Sequence, residues 1–263
     1  MHEFASFNQK ITTPEQINLS AISSAAIYGK GIFTTVAIYD KKPFLWEKHW
    51  RRLTQNAQKI GVDLSEFDED SVKIAFDELI QANKIETARA RITFFDESAS
   101  AIWNFETAKS TSLLITTADF KKTDENLRLT VSPYRINSKS PLVNIKSCNY
   151  LENILALEDA KRKGFDEALR LNEKNEIVSA TMANLFWIKD EKIYTSALET
   201  GCLAGTTREY LTEKFAIEEK IINLEDLMQA DEIFLTSAGI FIKSVSEIDG
   251  KTFGNNFLSK KIV

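Results

Sequence analysis

From its first third onward, the alternation of apolar and polar positions divides the chain into strands and helices. Residues 31–39, Gly-Ile-Phe-Thr-Thr-Val-Ala-Ile-Tyr, are rich in β-branched and aromatic side chains and predict a strand. Asp40-Lys41-Lys42 reads as a tight turn, and Pro43-Phe44-Leu45 as the returning arm of a hairpin. Trp46, Trp50, Leu53, Ala57 and Ile60 then recur at spacings of four and three, which predicts an amphipathic helix stopped by Gly61. Asp70-Ser71 is the expected cap of a second helix holding Val72, Phe76, Leu79 and Ile80. Further strands are expected over 88–95, 112–117, 127–131, 167–171, 184–189, 232–236 and 240–245. A helix over 151–163 should end at Gly164, a turn should occupy 172–175, and another helix should begin near Thr206. The polar stretch within 118–126 marks the expected boundary between two domains, 1–118 and 119–263. The class implied is α+β.

Composition narrows the function more by exclusion than by suggestion. With 33 basic and 38 acidic residues the net charge is −5, which gives no general attraction for nucleic acid or an anionic membrane. The short basic runs Lys41-Lys42 and Lys161-Arg162-Lys163 read as solvated turns or helix ends. Two cysteines, Cys148 and Cys202, make no disulfide framework, and two histidines, His2 and His49, are too few for a His-based zinc site; no metal is expected. No apolar run approaches the roughly 18 residues of a membrane span, and the N-terminus lacks the basic and apolar regions of a signal peptide. The expectation is a soluble cytoplasmic protein.

Four separated segments then carry chemistry. Tyr28-Gly29-Lys30-Gly31-Ile32-Phe33-Thr34-Thr35 comes first and His49-Trp50-Arg51-Arg52-Leu53 second. The third is Lys146-Ser147-Cys148-Asn149-Tyr150-Leu151, and the fourth runs from Asp166-Glu167-Ala168-Leu169 through Val178-Ser179 to Asn184-Leu185-Phe186. A later turn, Leu203-Ala204-Gly205-Thr206-Thr207-Arg208, and the strand end Thr236-Ser237-Ala238-Gly239 follow. In order and spacing these resemble the class IV aminotransferases, the pyridoxal 5'-phosphate (PLP) enzymes that include branched-chain and D-amino acid aminotransferases and 4-amino-4-deoxychorismate lyase.

The resemblance implies a two-domain, fold-type IV architecture like that of the D-amino acid aminotransferases. It places the cofactor in a cleft between a smaller N-terminal α+β domain and a larger β-rich one, in a homodimer. It also implies a set of roles. Lys146 holds PLP as a Schiff base and moves the substrate proton, work that needs an amine with a depressed pKa. Arg52 takes the phosphate, for which a guanidinium is a bidentate and permanently charged match. Thr206 and Thr207 sit at a helix N-terminus suited to a dianion, with Thr236 and Ser237 as further phosphate candidates. Tyr150 reaches the cofactor's phenolic oxygen, and Tyr28 and Arg91 stand as substrate candidates.

The sequence departs from the family pattern at Lys30, where aspartate is usual, at Thr34, where glutamate is usual, and at Asp96, near a common arginine. Ser179 stands where the family carries the glutamate that pairs with the ring nitrogen, and a hydroxyl only hydrogen-bonds a neutral nitrogen there. Glu176, three residues earlier, is expected on the opposite strand face. The Phe33-Thr34-Thr35 run resembles the lyases, in which the last threonine assists elimination, so the expected activity is conversion of 4-amino-4-deoxychorismate to 4-aminobenzoate and pyruvate, with Thr35 catalytic. The alternatives are a branched-chain or D-amino acid aminotransferase, and a PLP-binding relative with little catalysis.

Overall fold

A computed structural model of the chain describes residues 1–98, 110–120 and 126–254. Two units share them: Met1–Lys121 with Ile145–Asn149, and Lys122–Asn144 with Tyr150–Val263. Within the polar stretch 118–126, residues 121–125 lie outside the described part.

The first unit contains β1 (Ala5–Phe7), β2 (Lys10–Thr12), α1 (Ser24–Tyr28), β3 (Gly31–Tyr39) and β4 (Lys42–Pro43). It continues with α2 (Trp46–Ile60), α3 (Glu69–Ala82), β5 (Ala88–Asp96) and β6 (Thr111–Ala118). The strands form one antiparallel sheet in the order β2-β1-β6-β5-β3-β4. The β3–β4 turn is tight because Asp40 and Lys41 both adopt positive φ (49° and 65°), the twist that matches a two-residue hairpin. The ladder register ends at Pro43, with one further bond from the Phe44 amide to the Ala37 carbonyl at 2.8 Å, so the returning arm is shorter than the expected 43–45; Leu45 takes φ 56° and caps α2 instead.

Helices α2 and α3 cover one face of this sheet. Leu53, Ala57, Val72, Phe76, Leu79 and Ile80 pack with Ile32, Val36, Ile92 and Phe94 in a single core. Trp46 stacks on Trp50 at 6.2 Å and packs tilted against Phe76 at 5.9 Å. Helix α3 is capped by Asp68, whose carboxylate accepts from the Ser71 amide at 2.8 Å, rather than by Asp70-Ser71. In a run of candidate caps the one that wins is the one whose backbone is extended, here at φ −95° and ψ 166°.

The second unit holds β7 (Asn126–Val131), α4 (Leu151–Arg162), β8 (Glu167–Leu171), β9 (Ile177–Ala180), β10 (Asn184–Lys189) and β11 (Lys192–Ser196). After them come α5 (Thr206–Lys214), β12 (Ile217–Lys220), α6 (Leu224–Leu227), β13 (Glu232–Ser237), β14 (Phe241–Ile248) and β15 (Lys251–Thr252). The sheet runs β12-β11-β10-β13-β14-β7-β8-β9, with β15 beside β14. It is mixed: β7 is parallel to both β8 and β14, and β11 to β12. Leu169, Leu171, Ile177, Leu185, Ile233, Leu235 and Val245 form its main core. The strand expected at 240–245 begins one residue later, since Phe241 takes φ 54° at the turn, and runs on to Ile248. The helix at 151 ends at Arg162, with Gly164 at φ 83° just beyond.

The segment Ile145–Asn149 belongs to the first unit because it lines the open edge of β3. The Phe33 amide donates to the Lys146 carbonyl at 2.9 Å, the Cys148 amide donates to the Gly31 carbonyl at 2.9 Å, and Ile32 bridges Ser147. Gly31 permits this approach: a Cβ there would lie 2.7 Å from the Phe94 carbonyl oxygen and 3.0 Å from the Cys148 sulfur. Gly31→Ala is therefore expected to lower stability by about 1–3 kcal/mol through overpacking against backbone. Urea unfolding of the two proteins checks this; equal midpoints would show that the strand edge has slack.

Candidate active site

Alternation along β3 sorts its side chains to two faces. Ile32 and Val36 enter the core, and Thr34, which shares their face, is buried beside α2. Phe33 and half-buried Thr35 project to the other face, where Arg91 pairs with Thr35 and Thr93 with Phe33 across the ladder. Arg91 lies over the Phe33 ring with its guanidinium carbon 3.6 Å from the centroid, and its Nε donates to the Thr93 hydroxyl at 3.2 Å. The Lys146 amine stands 4.4 Å from the same ring centroid. Lys146, Arg91, Phe33 and Thr35 are thus gathered at one face of the sheet.

Burial, reinforced by the positive charges of Arg52 and Arg91, holds the Lys146 amine well below the usual lysine range. The same causes, burial first and then Arg52 and Lys146, keep His49 well below the usual imidazole range. Arg52 donates from Nη2 to the Thr34 oxygen at 2.7 Å, and Thr34 in turn contacts His49 Nδ1 at 2.7 Å. With the hydroxyl oxygen accepting from Arg52, its proton is left for a neutral imidazole nitrogen. Thr34 in place of glutamate is therefore part of a relay that fixes the Arg52 guanidinium. The sequence marked His49 only as a motif letter, and its burial at 1% exposure gives it this anchoring role.

The departures at Lys30 and Asp96 explain one another. Their side chains form an ion pair at 2.7 Å, and the Asp96 amide donates to the Lys30 carbonyl at 3.0 Å. Burial opposes the charge on Asp96, but hydrogen bonds from Lys30 and Ser98 and the charge of Lys30 outweigh it and keep the carboxyl low. Tyr28 closes α1 immediately before Gly29.

In the second unit, Tyr150 sits at the start of α4 and donates its hydroxyl proton to the Thr181 carbonyl at 3.4 Å. Ser179 pairs with Arg170 across β8–β9, and its hydroxyl donates to the Ala180 carbonyl at 2.8 Å. A bulge beside this pair sets Ile177 opposite Leu171, so simple alternation does not separate Glu176 from Ser179 as the sequence suggested. Glu176 is engaged elsewhere: it accepts from Asn172 Nδ2 at 2.6 Å.

Thr206 and Thr207 open α5, whose N-cap is Gly205, and both are buried. The first-turn amides of a helix have no acceptors within it. Asn184 ties this turn to a second one: it donates to the Leu203 carbonyl at 2.8 Å and pairs in register with Thr236. Its Oδ1 would lie 2.0 Å from a Cβ at Gly205, so a side chain there would push the Asn184 amide from this position. Thr236 is fully buried, and its hydroxyl has no hydrogen-bond partner among the described residues. Ser237 accepts from the Gly239 amide at 3.3 Å. A dehydrated hydroxyl left without a partner costs about 1–3 kcal/mol, and such groups are explained by a missing acceptor.

These features meet the demands of PLP one by one. An aldehyde needs a neutral amine, which Lys146 supplies. For a phosphate, Arg52 in the first unit offers a cation, and in the second unit the α5 N-terminus and Thr236 offer helix amides and a hydroxyl donor. The family described as amino-transferase class IV matches residues 31–248.

The chain belongs to the class IV aminotransferases.

Among its relatives, a D-alanine aminotransferase of Bacillus licheniformis is 27% identical over 234 residues, 87% of this chain and 82% of that one. The aminodeoxychorismate lyase of Bacillus subtilis is 27% identical over 248 residues, 90% and 84% of the two chains. The crystal structure of a branched-chain aminotransferase from Thermoproteus uzoniensis with norvaline superposes with a TM-score of 0.93 at 25% identity, covering 100% of this chain and 92% of that one. The two-sheet α+β architecture is that of this class IV fold, with PLP as the family's cofactor.

The displaced pKa of Lys146 predicts how the cofactor-free protein responds to pH. Below the folded pKa, the folded chain carries the buried charge at its full cost. Between the folded pKa and the ordinary lysine value the unfolded chain binds more protons, so stability rises with pH; above the ordinary value the gain is complete. Lys146→Met should be more stable than the parent at the low end of this window, with a shallower rise. Denaturant unfolding across pH checks this, and parallel profiles would contradict a depressed Lys146.

Proposed function

We propose that the chain is a PLP-dependent lyase that converts 4-amino-4-deoxychorismate to 4-aminobenzoate and pyruvate. The observation that carries this reading is the common sheet face of Phe33, Thr35 and Arg91, with the Lys146 amine over the Phe33 ring. It puts a hydroxyl donor on the same side as the neutral amine. When bound, PLP supplies an aldehyde for covalent attachment and a ring that draws electrons from the substrate carbon bearing the amine.

The rest of the work falls to this chain's side chains. Lys146 attaches the cofactor and takes the proton from that carbon. Thr35 passes a proton to the ether oxygen as its bond to the ring breaks and regains one from the Lys146 ammonium. Enolpyruvate leaves and tautomerises to pyruvate, while the ring becomes aromatic. Arg91 and Tyr28 are assigned to the substrate's carboxylates, Arg52, Thr206, Thr207, Thr236 and Ser237 to the phosphate, Tyr150 to the phenolic oxygen and Ser179 to the ring nitrogen.

The Bacillus subtilis lyase supports the reading. The same level of identity to D-alanine aminotransferases, and the fold match to a branched-chain aminotransferase, supports a second one, transamination of an amino acid. For either activity we propose a homodimer, as the family resemblance implies, working in the cytoplasm. Among the described residues no helix is long and apolar enough to cross a membrane.

The discriminating experiment is a coupled fluorescence assay for 4-aminobenzoate, with an aminodeoxychorismate synthase supplying the substrate. The parent should form product and Lys146→Ala none, while Thr35→Val loses about 10²-fold in rate, the lower end of what a positioned proton donor contributes. Absence of product together with transfer of an amino group to a 2-oxo acid would establish the second reading instead.

A further inference from the structure

Arg170 is the one arginine of β8, in the run Glu-Ala-Leu-Arg-Leu. Leu169 and Leu171 face the main core of the second unit, so Arg170 projects to the opposite side, where its cross-strand partner is Ser179. It is fully buried, at 0% exposure. Charged side chains rarely reach that state unless every donor is used. Two donors are used: Nε donates to the Tyr134 carbonyl at 3.2 Å and Nη1 to Asn153 Oδ1 on α4 at 2.8 Å. Nη2 has no hydrogen-bond partner among the described residues; Glu152, its ion-pair partner, stands at 3.6 Å with a side chain 62% exposed. Water therefore screens the nearest compensating charge, and a buried guanidinium keeps one donor edge unused.

The other ionisable groups bearing on this spot do not reverse its sign. Glu167 on β8 is buried, and burial pushes its carboxyl up, against hydrogen bonds from the Thr181 hydroxyl and the amides of Ala168, Thr181 and Met182. Tyr150 at the head of α4, like Glu152 and Glu167, favours the charged guanidinium, and burial outweighs them. Burial lowers the Arg170 pKa, but an arginine keeps its charge throughout the working range. The Ser179 hydroxyl, now turned to the Ala180 carbonyl, is a rotor that can donate to a lone pair instead.

We propose that Arg170 and Ser179 together hold the cofactor's ring nitrogen unprotonated: a fixed positive charge and a neutral hydroxyl occupy the place of a charge-pairing carboxylate. This rests on the functional reading only in taking PLP as bound with its ring nitrogen toward Ser179. A nearby cation disfavours protonation of a base, as a nearby carboxylate favours it. The ring is then a weaker electron sink. Such a ring suits a reaction in which a departing ether and an aromatising ring supply the driving force.

The test is nitrogen-15 NMR of the holoprotein loaded with PLP labelled at the ring nitrogen. The expected signal is that of an unprotonated pyridine, unchanged across neutral pH. In Ser179→Glu, and further in Ser179→Glu with Arg170→Leu, it should move upfield toward the protonated form. If the double variant fails to fold, the parent spectrum alone decides. A protonated signal in the parent overturns the inference while leaving the lyase assay untouched. Parent protein that releases its PLP on gel filtration overturns the cofactor reading and this inference together.

Discussion

The seating of Ile145–Asn149 along the edge of β3 is the constraint on which the chemistry depends. Two backbone hydrogen bonds and the absence of a side chain at Gly31 bring Lys146 to the strand that also carries Phe33, Thr34 and Thr35. Had the segment stayed with the elements that flank it in sequence, Lys146 would have been a solvated lysine with an ordinary pKa. In place, its amine is dehydrated and shares its surroundings with Arg52 and Arg91, so the neutral form, the one that reacts with an aldehyde, is favoured. The relay from Arg52 through Thr34 to His49 lies on the other face of the same strand, because Thr34 is adjacent to Phe33 and faces the helix that supplies both partners.

Most elements could be read from the chain because each has a local cause. The strand at 31–39, the helix at 46–60 and the strands at 167–171 and 184–189 follow from period and turn residues within their own span. Short pieces such as β9 and β12, four residues each, offer too few residues for a period. The motif letters gave the site residues their candidacy, but not their partners. Lys30 and Asp96 each looked like a lesion when read alone; an ion pair between distant positions is invisible until the ladder of β3 and β5 brings them together.

Arg170 had a signal in the sequence, a cation inside an apolar strand, but its meaning needed the register. Only the pairing with Ser179 and the bulge beside it fix which face it occupies. The same bulge overturns the argument from strict alternation about Glu176. Across the second unit, Asn184 plays the joining part that Gly31 plays in the first: one side chain sets the turn before Thr206 and stands in register with Thr236. In both units, what prepares the chemistry is a polar or absent side chain that lets backbone approach backbone.

The most direct measurement is of where the cofactor attaches. The PLP-loaded protein would be reduced with borohydride, digested, and its peptides mapped by mass spectrometry. The account predicts a single pyridoxyl adduct, on Lys146, even though lysines abound on the surface, because burial and two neighbouring cations favour the neutral form of this amine. An adduct spread over exposed lysines, or one confined to another residue, would contradict it.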